Sequence, residues 1–141
     1  MGDTYTLLVS GEQPGGAFTL LEALVPPGGG PPPHIHHLED EVFIVLEGEL
    51  LVTVAGSALP APVGTVISVP KGTPHSYAVV GAAPVRKYFI YAPAGMEEMF
   101  SEIGKPAQPG VAAPPASEED VARLLAIAAK YNFTIVPPEV E

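Results

Sequence analysis

The stretch Gly28-Gly-Gly-Pro-Pro-Pro-His34-Ile-His36-His37-Leu-Glu39-Asp40-Glu41-Val-Phe-Ile-Val-Leu-Glu47-Gly48 carries three of the chain's four histidines and runs directly into an apolar segment. On a strand, residues two apart share a face, so His34 and His36 project together and His37 projects away from them. Glu41 lies at an odd offset from His36, so it joins their face only if a turn or bulge at Leu38-Glu39-Asp40 resets the alternation. Beyond it, Glu41, Phe43 and Val45 fall on one wall and Val42, Ile44 and Leu46 on the other. The fourth histidine, His75, follows Val69-Pro70-Lys71-Gly72-Thr73-Pro74, a turn sequence that places it at the start of another strand. Imidazoles with a carboxylate form a donor set suited to Fe, Mn, Co, Ni, Cu or Zn. Glu39 and Asp40 read as an exposed turn, and Pro31 to Pro33 as a stiff, extended approach to His34.

Working outward, Tyr5 to Tyr91 consists of short runs rich in Val, Ile, Thr and aromatics. They are cut at Pro14-Gly15-Gly16, Pro26 to Pro33, Pro60-Ala61-Pro62 and Gly81 to Pro84. Many short strands with frequent turns indicate a barrel or sandwich. Glu41 to Glu47, Gly48 and Glu49 to Val54 read as a hairpin closed at the glycine. After Pro93-Ala-Gly95 the texture changes. Met96, Met99, Phe100 and Ile103 fall at helical spacing, and a Pro/Gly/Ala linker leads to Ser117, an N-cap with Asp120 in capping-box position. Val121, Leu124, Leu125 and Ala128 would form one face of that second helix, which ends near Lys130 and Asn132. Phe133 to Val136 reads equally as a last strand or as coil, stopped by Pro137-Pro138.

The chain has 141 residues, 47% of them hydrophobic, enough for one domain with a real core. The expected organisation is a single domain over 1–141, with a barrel at about 4–92 and a helical extension at about 93–141. Six Lys and Arg against sixteen Asp and Glu give a formal charge of −10, which disfavours nucleic acid and anionic membrane surfaces as partners. The absence of cysteine removes disulfides, thiol nucleophiles and cysteine-ligated zinc. No N-terminal leader pattern or long apolar run is visible, and the cytoplasm is the expected location. Arg86 and Lys87, rare cations here, read first as solubilising surface residues and second as anion holders.

The spacings resemble those of the cupins. The first cupin motif, Gly-x5-His-x-His-x(3,4)-Glu-x6-Gly, is met by Gly28, His34, His36, Glu41 and Gly48. The second, Gly-x5-Pro-x-Gly-x2-His-x3-Asn, is met by Gly64, Pro70, Gly72 and His75, with Val79 where the family has Asn. The resemblance implies an all-β double-stranded β-helix, the jelly-roll cupin barrel, with short C-terminal helices packed outside. It also implies one divalent transition-metal ion per chain, held by His34, His36, Glu41 and His75. The Pro-rich His run, Glu39-Asp40-Glu41, Tyr91-Ala-Pro-Ala-Gly95 and Ala128-Ala-Lys-Tyr-Asn132 are similar to single-domain proteins like the quercetin 2,3-dioxygenases. That similarity implies a dioxygenase acting on a small aromatic or enol substrate, with Glu41 also serving as catalytic base. A non-oxidative isomerase, epimerase or lyase and a small-molecule binding module are the alternatives. Phe43, Tyr77, Val79, Phe89 and Tyr91 either line a substrate pocket or fill the barrel. Pairing of edge strands, with Tyr5 to Val9 as one edge, implies a homodimer.

Overall fold

The computed structural model describes residues 2–13 and 15–137. Pro14 and Pro138, read above as turn and stop residues, lie outside them. Among the described residues, ten strands form two antiparallel five-stranded sheets, and two short α-helices follow the ninth strand. β1 (Thr4–Val9), β2 (Thr19–Val25), β9 (Val85–Ala92), β4 (Asp40–Glu47) and β7 (Val66–Val69) make one sheet in that order. β10 (Phe133–Ile135), β3 (His34–His36), β8 (His75–Val79), β5 (Leu50–Val54) and β6 (Ser57–Ala61) make the other. This is the all-β, double-stranded architecture expected from the sequence.

Strict alternation selects the core. Leu21, Ala23 and Val25 of β2, Phe43 and Val45 of β4, Leu50 and Val52 of β5, and Val85 and Phe89 of β9 are all buried between the sheets. Their neighbours in sequence face outward. No helix among the described residues is long and apolar enough to cross a membrane.

The expected hairpin at Gly48 does not form. β4 pairs with β7 and β9, whereas β5 pairs with β6 and β8, so Gly48 is the corner where the chain changes sheets. At φ 78° and with a notional Cβ 2.8 Å from Pro84 O, this corner admits only glycine without strain. Two strands buried on facing sheets and two strands in one hairpin present the same apolar–Gly–apolar pattern, and only long-range pairing separates them. The tight hairpin lies one strand later, between β5 and β6, at Ala55-Gly56 with φ 49° and 82°.

α1 (Met96–Ile103) and α2 (Glu118–Ala128) occupy the expected positions. The Asp120 amide donates to Ser117 Oγ (3.1 Å) and the Ser117 amide to Asp120 Oδ2 (2.9 Å), completing the capping box. The buried stripe of α2 is narrower than expected. Leu124 and Ala128 are buried, while Val121 and Leu125 are exposed, because the helix meets the barrel along one edge only. The helices lie outside the sheets, yet their apolar faces roof one end of the barrel. Phe133 to Ile135 is a strand, not coil, paired along β3.

Candidate metal centre

β3 and β8 set His34 directly opposite His75, and His36 follows on the same face of β3. Glu41 enters from the other sheet, opposite Tyr91 of β9 and Val69 of β7. The odd offset between His36 and Glu41 is therefore absorbed by a change of sheet at His37 to Glu39, not by a bulge within one strand. One ligating atom from each of His34, His36, Glu41 and His75 lies within 4.8 Å of all the others, and all four residues are buried. His37 projects to solvent, its Nε2 2.8 Å from Thr134 Oγ1.

The donor set fits a cation. His34 Nδ1 faces Pro32 O at 2.8 Å and His75 Nδ1 faces Thr73 O at 3.0 Å. A carbonyl only accepts, so each Nδ1 carries the proton and each Nε2 lone pair turns inward. His75 Nε2 then meets Glu41 Oε2 at 2.9 Å, with His36 Nε2 3.6 Å from the same oxygen. Acceptors crowded this closely need a positive charge among them, and such separations suit donors sharing an ion at roughly 2.0–2.2 Å. Both ring nitrogens of His36 are buried without a hydrogen-bond partner, an arrangement that costs stability unless a ligand completes it.

The cluster opens onto a cavity of about 50 Å³, lined mostly by apolar side chains from the sheets and both helices. Of the candidate pocket residues, Tyr77, Phe89 and Tyr91 line it. Phe43 and Val79 do not. Phe43 is fully buried core, and Val79 sits opposite Leu50, four residues along β8 from His75 and so roughly 13 Å away.

Residues 21–91, half of the chain, match the family of the cupin domain. The chain belongs to the cupin family. No curated protein matches its sequence. Among solved structures, KdgF from Halomonas sp. is 15% identical with a TM-score of 0.61, over 69% of this chain and 84% of that one. A predicted oxalate decarboxylase from Thermotoga maritima is 24% identical with a TM-score of 0.61, over 64% of this chain and 80% of that one. A cupin-superfamily sugar phosphate isomerase from Silicibacter pomeroyi is 23% identical with a TM-score of 0.54, over 62% and 59% respectively. At these identities the likeness is one of fold.

Three features of this cupin's site differ from the sequence reading or go beyond it. Glu39 is buried, not an exposed turn residue, because it lies on the crossing between sheets; burial pushes its carboxyl up. Lys87 is buried at 1% exposure, not a surface residue, and lines the cavity. Its parity with Val85, Phe89 and Tyr91 on β9 was the available signal. Arg86, one position off, does face outward, toward Glu22 (3.5 Å) and Glu47 (3.3 Å). Phe133 packs against His34 and His36 at centroid distances of 5.0 and 5.2 Å, so the C-terminal strand backs the metal ligands. Phe133→Ala should cost about 3–5 kcal/mol, as for a buried aromatic, and weaken metal retention. Chemical denaturation and metal content of the variant would check both, and unchanged metal affinity would remove Phe133 from the site's support.

Burial holds the His34 imidazole down at about 3 and the His36 imidazole at about 4, against an ordinary 6.5. Burial alone would raise the Glu41 carboxyl, but its close contact with His75 and the charges of His36 and Lys87 outweigh it and hold it at about 2. Unfolding frees both imidazoles to take up protons below pH 6.5, so the unfolded state binds more protons and metal-free stability falls with acidification. Between pH 7.5 and pH 5 the loss should reach about 4 kcal/mol for the two groups together. Urea unfolding of metal-free protein at both pH values tests this, and equal midpoints would contradict it.

Proposed function

We propose that the protein is a mononuclear metal-dependent dioxygenase acting on a compact, enolisable substrate. The observation that carries this reading is the four-donor cluster placed at the end of a small, largely apolar cavity. About 50 Å³ gives room for roughly four water-sized positions. That space suits a short β-diketone or similar enol, not a three-ring flavonol. The apolar part of the lining, Phe89, Met99, Phe100, Ile103, Leu124 and Phe133, suits a short enol better than a substrate with a hydroxyl on every carbon.

His34, His36, Glu41 and His75 would hold the ion, which when bound acts as a Lewis acid that makes an enol hydroxyl easier to deprotonate. Glu41 stays ionised and supplies a carboxylate oxygen to receive that proton. Met99, Phe100, Ile103 and Leu124 roof the cavity and exclude bulk water, leaving an environment in which apolar dioxygen is soluble. Both oxygen atoms would enter the product, so no external reductant is needed.

The test is oxygen uptake by anaerobically prepared protein, loaded separately with Fe, Mn, Co, Ni and Cu, against β-diketones, catechols and flavonols. Uptake with a small enol, absent in His36→Ala, is expected. Turnover that proceeds equally without oxygen, or no uptake with any pairing, would overturn the reading.

A further inference from the structure

Lys87 is the one lysine or arginine among the described residues that the fold buries. Its Nζ lies 3.7 Å from the centroid of the Tyr77 ring, 4.5 Å from that of Phe43 and 5.0 Å from that of Phe89. Among the described residues it forms no ion pair; the carboxylates whose charge reaches it are Glu41 and Asp3. Asp3 is itself engaged, accepting from Tyr77 Oη (2.8 Å), Tyr5 Oη (3.1 Å) and the Gly30 amide (3.0 Å).

What an ammonium gains from an aromatic cage falls well short of what removing it from water costs. A Met or Leu would fill the same volume at no such cost. The position thus calls for a role that needs charge. The charge balance of the site indicates which. With a divalent ion bound, the ion and Lys87 contribute three positive charges in one small, dry volume, Glu41 returns one, and Asp3, whose charge also reaches Lys87, returns a second. A ligand entering that volume meets a surplus of positive charge, although the chain as a whole carries −10 and repels anions at its surface.

We infer that Lys87 is the anion receptor of the cavity: its ammonium pairs with an anionic oxygen, a carboxylate or enolate, of a compact ligand whose other end reaches the His34, His36, Glu41 and His75 cluster. Lys87 lines the same cavity of about 50 Å³ as His34, His36 and Glu41 of the cluster, so a molecule that fills it meets both the ammonium and three of the four donors. Burial lowers the Lys87 ammonium to about 8 in the metal-free chain, and an anionic oxygen beside it favours the charged form. The inference rests on this cavity being the substrate site, as proposed above, but not on the reaction being oxidative. It adds a requirement, namely that the substrate presents two oxygens, one to the cluster and one to Lys87.

Zinc-loaded protein provides the test, because zinc is redox-silent and binding is read without turnover. Calorimetric titration with acetylacetonate, pyruvate and acetate is expected to show binding of at least one of them to wild type. Lys87→Met should weaken it by about tenfold or more, the range for losing a charged hydrogen-bond partner, with zinc stoichiometry unchanged. Lys87→Gln, which keeps a donor without the charge, should show the same loss and serves if the methionine variant fails to fold. Equal anion affinity in wild type and either folded variant would overturn the inference, as would failure of all three anions to bind wild type. Intact anion binding without oxygen uptake would instead sink the dioxygenase reading and leave Lys87 its role.

Discussion

Replacement of His36 by alanine is expected to abolish stoichiometric metal binding and, with it, turnover. His36 is the member of the cluster whose ring has no other employment. Its two nitrogens are buried and unpartnered, whereas His34 and His75 each donate through Nδ1 to a carbonyl two residues upstream. Loss of an outer partner of a metal ligand typically weakens affinity 10–100-fold, and loss of a ligand itself should exceed that. Thermal unfolding gives the clearest readout. An ion at about 1,000 times its Kd stabilises the native state by roughly 4 kcal/mol, through mass action alone. Wild type should therefore melt higher with metal, and His36→Ala should melt at one temperature with or without it. A variant that still gains the full metal-dependent shift would show that the ion is held elsewhere.

Glu41→Gln should separate holding the ion from doing chemistry. Glutamine is nearly isosteric, keeps one oxygen donor and removes only the negative charge and the ability to take a proton. Metal affinity should weaken yet remain measurable, because His34, His36 and His75 are untouched and already converge. Turnover should fall by roughly 10²–10⁴, the usual contribution of a positioned general base. The comparison of metal content with rate per bound ion is decisive. If activity falls only as far as metal occupancy does, Glu41 is a ligand and nothing more.

Much of this is legible in the sequence. The alternation from Glu41 to Val45 puts Glu41, Phe43 and Val45 on one face of β4, the face the fold buries, and Ser117 with Asp120 marks the start of α2, because both signals are local: side-chain period on a strand and hydrogen bonds within one helical turn. The spacing of His34 and His36 put them on one face for the same reason. Lys87 departs from the surface position expected of it although the same rule applies. Its residue type argued for the surface, and parity with Phe89 and Tyr91 argued correctly for the interior. Val121 and Leu125 failed in the opposite way, since an apolar stripe shows which face prefers burial but not how wide a surface it will meet.

The sequence by itself determined that His34 and His36 share a face and where most strands run, because residue type and side-chain period are local, while Glu41 and His75 entered the donor set through the resemblance to the cupin motifs. Only the tertiary structure decided that Gly48 turns between sheets, that Glu41 crosses from one sheet to meet three histidines on the other, and that α1, α2 and Phe133 close a cavity of about 50 Å³ around them. Those features depend on which distant strands pair. Pairing partners are selected by complementary packing across the whole barrel, which no short window of residues encodes.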